Sequence, residues 1–384
     1  MKERVTMPIC FLALLCLFAC QSKQSIENLP DQGPSVYTID LNAKSVGFLD
    51  QIESISIFSF EETSESLLSM NSFFFDYEDG VIVVQEGEGT VFVFDKQGSF
   101  VSKFERKGDG PEEYKSMQNT VYRDGFIETY DMQKQRLVRY SLEGDFLSEL
   151  KLPYRAMHVL HEDDKYLLSM GNKSEGDSAN YNLIILDEEA QVLSKGLPID
   201  KPVPFPIATG INEFKRVDDQ VVFNALLTDS LMLIDGLEAK PFIKFDFGDD
   251  WFWTEEMYAD GGKAMSAISQ AVEEDGKVWI YTWAIGPNRI EMSYNTSFSN
   301  SRNGYVDRAT GEFHHYDYGG WGDGKPQIRV VRFEGDELLL MMTSDTLDPL
   351  VQKLGEDKYR VLGGVSLERI MESENPVMVW VKFK

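Results

Sequence analysis

The feature that most constrains the fold is a short hairpin that recurs along the chain. Residues 91–100, VFVFDKQGSF, give an apolar run, then Asp95, Gly98 and Phe100. The pattern returns as LVRYSLEGDF at 137–146 (Ser141, Gly144, Phe146) and as LIILDEEAQV at 183–192 (Asp187, Val192). It returns again as LMLIDGLEAKPF at 231–242 (Asp235, Phe242) and as GYVDRATGEF at 304–313 (Asp307, Gly311, Phe313). The leading polar positions lie 46, 46, 48 and 72 residues apart. Each copy reads as a strand, a polar turn and a second strand. A hairpin recurring every ~40–50 residues marks an array of blades rather than a single sandwich.

A second kind of hairpin precedes each copy. NSFFFDYEDGVIVVQ (71–85) and NTVYRDGFIETYD (119–131) place strands around Asp79-Gly80 and Asp124-Gly125. The layout repeats at 157–170, 214–226, 270–284 and 329–342, with apolar and polar residues alternating at period two. Six such hairpins, five with their second half, predict an all-β, six-bladed propeller over 36–384. Seven blades, or a pair of β-sandwiches, fit the count less well. The sixth blade is irregular: after 329–342 comes a partly helix-like stretch, then the apolar strand VMVWVKFK at 377–384. Strands at 36–41 and 53–60 have no blade of their own. One of them is expected to pair in the blade of 377–384, closing the ring with strands from both termini and leaving no open edge there.

The first residues read as an address. Lys2 and Arg4 precede an apolar run from Met7 to Ala19, 13 residues long. A spanning helix needs ~20, so the run fits a secretory leader. LFAC at 17–20 resembles a bacterial lipobox, which makes 1–19 a lipoprotein signal peptide and Cys20 the lipidated first residue of the mature chain. Cys10, Cys16 and Cys20 are the only cysteines, so a chain cut before Cys20 has no disulfide partner within itself. Residues 20–35 are polar with two prolines and read as a flexible tether. Gln21, Ser22, Lys23 and Gln24 lack the acidic cluster of surface-exported lipoproteins, which favours an outer-membrane anchor facing the periplasm. The net charge of −27 argues against nucleic acid as a partner.

FERKGDGPEEY at 104–114 carries a family likeness, together with VFVFDKQGSF before it and ENPVMVWVKFK at the C-terminus. The chain resembles the lipid-anchored, NHL-like or TolB-like six-bladed propeller proteins of gut-type Gram-negative bacteria. Gly108, Gly110, Pro111, Glu113 and Tyr114 match that group's Gly-x-Gly-Pro-x-Glu-Tyr segment position by position. The likeness implies a propeller and an envelope location, and no particular chemistry. In physical terms Gly108 and Gly110 permit positive φ, Pro111 stiffens a turn and Tyr114 buries its ring, which is the make-up of a corner between blades. DYGGWGDGKP at 317–326 reads as a Gly-rich connection between blades five and six.

The candidate ligand residues come from the 72-residue gap, where the repeat is most disturbed. Segments 248–266 and 285–305 read as insertions on one face of the ring, with 317–326 beside them. Trp253 and Trp321 are the stacking candidates; Arg289 and Arg302 are the anchors for an anionic or hydroxyl-rich group, as in a glycan or peptide. His158 and His161 sit three apart on an expected strand, where side chains point to opposite sides, so they are not expected to share a metal. His314 and His315, being adjacent, fail the same test. There is no G-x-S-x-G elbow, H-E-x-x-H, P-loop or EF-hand loop. The expected function is a non-enzymatic ligand- or protein-binding scaffold without a cofactor, its partners the membrane through lipid and a glycan, peptide or envelope protein. The rival is a propeller enzyme, a lactonase, lyase or glycan-cleaving type, using calcium or carboxylates in the central channel.

Overall fold

The computed structural model describes residues 33–70, 72–78, 80–87, 89–172, 180–199, 213–254, 266, 269, 276–297, 300–319 and 326–384. Six small sheets carry the chain. They form a six-bladed propeller with a few short helices. Blade 1 takes Ser72–Glu78, Val81–Glu86, Thr90–Asp95 and Phe100–Glu105, in that order from the axis outward. Blade 2 takes Gln118–Arg123, Phe126–Asp131, Arg136–Tyr140 and Phe146–Lys151, and blade 3 takes His158–Glu162, Lys165–Ser169, Tyr181–Asp187 and Val192–Pro198. Blade 4 runs Phe214–Val217, Gln220–Phe223, Ser230–Asp235 and Glu238–Asp246. Blade 5 runs Ile280–Ile285, Arg289–Asn295, Ser301–Asp307 and Phe313–Asp317.

Blade 6 closes the ring as expected. Ile328–Glu334, Glu337–Met342 and Val377–Phe383 are followed by Ile52–Ser59 from the N-terminal side. The two termini pair antiparallel from Val377↔Ser59 to Phe383↔Ile52. The other early strand goes elsewhere: Ser35–Thr38 lies parallel on the outer edge of blade 4, and Ser45–Gly47 lies parallel on the outer edge of blade 5. Tyr359–Val361 does the same on blade 6. Before entering its own blade, the chain therefore walks around half the ring, covering edges.

The recurrent hairpin has a local cause. In four of the five copies the leading Asp or Ser accepts backbone N–H groups of the turn that follows, whereas Asp235 pairs with Lys240 instead. Asp95 Oδ1 takes Gln97 N at 2.8 Å and Ser99 N at 2.9 Å, and Asp187 Oδ1 takes Glu189 N at 3.0 Å and Gln191 N at 2.7 Å. Gly98 and Gly144 have φ of +83° and +85°, and a Cβ there would lie 2.4 Å from Ser59 O and from Phe104 Cγ. The turn thus needs glycine for conformation and for room. The strands read as continuous apolar runs because both faces of a blade are covered by its neighbours. Val91, Phe92, Val93 and Phe94 are all buried to 1% exposure or less.

One expectation is corrected. Residues 285–305 are not an inserted loop: Ile280–Ile285 and Arg289–Asn295 are the first hairpin of blade 5, paired from Ile280↔Asn295 to Ile285↔Ile290. The hairpin expected at 270–284 is one turn too early. Gly286, Pro287 and the polar Arg289, Glu291 and Ser293 look like loop, but the strand folds because Ile290, Met292 and Tyr294 alternate with them and are buried.

Candidate functional site

The corner after blade 1 is built by the matched motif. Tyr114 is fully buried, and its hydroxyl donates to Gly89 O and accepts from Arg106 N at 2.8 Å. Burial pushes the phenol up to about 12. Glu113 turns back so that its carboxylate accepts Gly110 N at 2.8 Å. Lys134 Nζ donates to Gly108 O at 3.3 Å, Gly110 O at 2.7 Å and Glu113 O at 2.6 Å, and Arg136 reaches Pro111 O at 2.7 Å. The motif's carbonyls thus close around cations from the next blade. The reason given for the glycines needs correcting: neither Gly108 nor Gly110 is among the positive-φ glycines. A Cβ on Gly108 would stand 2.0 Å from Glu113 Oε2, so that glycine makes room for the carboxylate. Tyr114→Phe leaves Gly89 O and Arg106 N without this partner and should lower stability by about 1–3 kcal/mol in urea unfolding. A loss below about 0.5 kcal/mol, the range of an ordinary surface change, would contradict this reading.

Strand direction sorts the connections onto two faces. On one face every link within a hairpin is short: 79–80, 96–99, 124–125, 141–145, 163–164, 188–191, 218–219, 236–237, 286–288, 308–312 and 335–336. The long links all leave from strand ends on the opposite face: 60–71, 106–117, 170–180, 199–213, 247–279, 318–327 and the stretch 343–376, which holds the helix Ser344–Leu354. Every link longer than about six residues therefore starts and ends at strand ends on that side, where loops can vary without disturbing the blades.

At the blade 5 end of this face lies a cleft of about 310 Å³ lined by Leu41, Ala43, Ser45, Ser301, Arg302, Asn303, His315, Tyr316 and Tyr318. The size is at the lower bound of small-molecule sites. Its walls are the ends of Ser301–Asp307 and Phe313–Asp317, and the N-terminal segment forms its rim. Arg302 Nη1 lies 3.4 Å from Leu41 O and His315 Nε2 lies 3.2 Å from the same carbonyl. Burial pulls the His315 imidazole below its usual range, against the pull of the Leu41 carbonyl. Beneath the cleft Tyr316 donates to Glu291 at 2.8 Å, and Arg289 Nε lies 3.1 Å from Glu291. Burial pushes Glu291 up to about 7, against the pull of Arg289 and Tyr316. The arrangement offers an arginine, an amide, an imidazole, hydroxyls and two tyrosine rings. A second recess, lined by Glu213, Asn224, Trp251 and Tyr281 among others, holds about 20 Å³, room for about one water.

The four sequence candidates are not brought together among the described residues. Arg302 alone lines the cleft. Arg289 lies under it, its guanidinium 3.7 Å from the Tyr305 ring centroid and 3.8 Å from that of Phe383. Trp253 is 7% exposed, edge-on to Phe252, and its indole N–H donates to Trp279 O at 2.7 Å. Trp321 lies outside the described residues, as do Cys20, the leader 1–19, residues 20–32 of the tether and most of 255–266. Asn303, His315, Tyr316 and Tyr318 were missed. HHYDY at 314–318 carried a signal, since Tyr316 and Tyr318 recur at period two at a strand end. His158 and His161 take different surroundings: His158 is pulled down to about 4 by burial, and His161 Nδ1 lies 3.1 Å from Glu128. Among the described residues no three His, Cys, Asp or Glu side chains converge as a metal site would require.

The chain belongs to the family of DUF4934, a domain of unknown function, whose model matches residues 36–382. A Bacteroides fragilis NCTC 9343 protein described as exported superposes with a TM-score of 0.71 at 14% identity, over 91% of this chain and 99% of its own. A Bacteroides vulgatus ATCC 8482 member of the DUF4221 family aligns with a TM-score of 0.48 at 13% identity, over 87% and 97%. The first likeness is one of fold. No curated protein matches the chain in sequence.

Proposed function

We propose that this DUF4934 protein is a non-enzymatic binding propeller held in the cell envelope by lipid on Cys20, and that it takes a hydroxyl-rich or anionic ligand in the blade 5 cleft. The observation that carries the reading is the cleft itself: about 310 Å³, polar, and lined by Arg302, Asn303, His315 and two tyrosines. It lies on the face that gathers every long connection. Arg302 supplies forked donors for a carboxylate or a pair of hydroxyls, and Tyr318 supplies a flat face for a sugar ring. The lipobox-like LFAC and the exported B. fragilis protein of the same fold support the envelope location. Facing the periplasm from the outer membrane is the orientation favoured by a tether whose first residues, Gln21 to Gln24, carry no acidic cluster.

The experiment is a screen of oligosaccharides and peptides against the purified protein and its Arg302→Ala and Tyr318→Ala variants. Loss of a charge-assisted hydrogen bond should weaken a hit by about 1.5–3 kcal/mol, roughly 10- to 100-fold. Arg302 is partly exposed, so melting of Arg302→Ala should stay close to the parent, whereas Tyr318 packs on Phe48 at 5.4 Å between ring centroids and Tyr318→Ala should melt somewhat lower. Hits that bind both variants as they bind the parent would place the ligand elsewhere.

A further inference from the structure

Three consecutive blades carry the same defect in the same place. At the start of the outer strand, one residue is squeezed out of register: Val101 in blade 1, Leu147 in blade 2 and Leu193 in blade 3. Phe94 pairs with Phe100 and Val93 with Ser102; Tyr140 pairs with Phe146 and Arg139 with Ser148; Leu186 pairs with Val192 and Ile185 with Ser194. The bulged residues are 46 residues apart each time, and each is followed by serine. They are also among the most exposed large apolar residues: Val101 51%, Leu147 53% and Leu193 43%.

The bulge does not require an aliphatic residue. Blade 6 has it at the equivalent position, where Lys382 pairs with Ser54 and Phe383 with Ile52, and there the extruded residue is Glu53, exposed and again followed by serine. A bulge at a sheet edge is an ordinary device against edge-to-edge pairing, and a charge beside it adds to that protection. Blade 6 uses both. Blades 1–3 keep the bulge and put a methyl-bearing side chain on it, which solubility does not favour.

The cover on the edges differs in the same way. Blades 4, 5 and 6 each have a strand of this chain laid along the outer edge, whereas the outer strands of blades 1–3 have no further strand among the described residues. The open parts of those edges carry Lys103, Lys151 and Lys195, which oppose the addition of a strand. The side chains on the bulges are therefore the contact points. Acidic residues flank them: Glu143, Glu188, Glu189 and Glu238 stand exposed in or beside the neighbouring short turns of blades 2, 3 and 4, next to Asp145 and Asp235, which pair with Arg106 and Lys240.

We propose that the bulge rim of blades 1–3 is a docking surface for a partner protein that presents aliphatic side chains among basic ones. Apolar contact at three regularly spaced points supplies the attachment, and the acidic turns select a basic partner and speed its approach. The same charge argues against anionic lipid and against a second copy of this chain, whose net charge is −27. The surface lies at the short-turn end of the blades, opposite the cleft face, so the two can be occupied together.

The test places a photo-crosslinking amino acid at 101, 147, 193 and, as control, 53 in the full-length protein in its own cells. Crosslinks from 101, 147 and 193 should reach one and the same polypeptide, with none from 53. Val101→Glu with Leu193→Glu, copying blade 6, should abolish the crosslink from 147 while melting stays unchanged, and raised salt should weaken it. No crosslink, a different protein at each position, equal capture at 53, or adducts only with lipid or with a second copy would each overturn the proposal. Should the double variant fail to fold, the four-position comparison in the parent still decides.

Discussion

Deleting residues 377–384 should leave a chain that cannot hold its fold. Val377–Phe383 sits inside blade 6, paired with Glu337–Met342 on one side and Ile52–Ser59 on the other. Val377, Met378, Val379 and Val381 are completely buried. Burying a side chain of this kind contributes about 1.5–3 kcal/mol, so four together contribute on the order of 6–12 kcal/mol. That is comparable with the whole stability of a domain, about 5–15 kcal/mol. The deletion also strands Ile52–Ser59 without its inner neighbour and exposes two long apolar edges, so aggregation should accompany unfolding. A chain starting at Ile39 is the control: it lacks Ser35–Thr38, a mostly exposed strand on the rim of blade 4, and should melt close to the parent. A truncated protein without 377–384 that stayed monomeric with unchanged melting would reject closure by the two termini.

Cys20→Ser should move the protein from the membrane fraction to the soluble fraction and abolish labelling by a fatty-acid probe. Each buried methylene adds about 0.8 kcal/mol, so two or more acyl chains on one cysteine make release slow and the contrast with serine complete. The described chain first forms a strand at Ser35 on the outer edge of blade 4. The link from Cys20 to that point reaches at most roughly 50 Å when extended. An anchored protein would thus hold its blade 4 rim within that distance of the bilayer. Probe incorporation into the Cys20→Ser protein would show that Cys20 is not the acylated residue.

The blades were legible because each hairpin carries its own turn chemistry. Asp95, Asp187 and Asp307 cap the turns they begin, and Gly98 and Gly144 stand where no other residue fits, so local sequence and global fold agree. Blade 5 was misplaced because its first hairpin turns through Gly286-Pro287-Asn288 and hides Arg289 and Glu291 inside, 3.1 Å apart. The strand at 36–41 shows in the sequence but its place on blade 4 does not, and Ser45–Gly47 and Tyr359–Val361 are too short for any periodicity to show; where all three lie follows only from the closed ring. The cleft was half visible. Arg302 stands in a segment that reads as an insertion, whereas His315 reads only as a failed metal ligand and Tyr318 only as part of the connection at 317–326; a site made at strand ends has no spacing of its own. The sense in which Gly108 matters was also hidden, since room for Glu113 is a contact and not a local preference.

The central claim is that the blade 5 cleft binds a ligand and leaves it unchanged. The most direct test is calorimetric titration of a screened oligosaccharide or peptide into the parent and into Arg302→Ala, followed by mass spectrometry of the recovered ligand. The account predicts one ligand per chain, a loss of about 10-fold or more in affinity on removing Arg302, equivalent to at least about 1.4 kcal/mol, and recovery of the compound intact. Equal affinity in Arg302→Ala, or a ligand cleaved or rearranged by the parent, would contradict it.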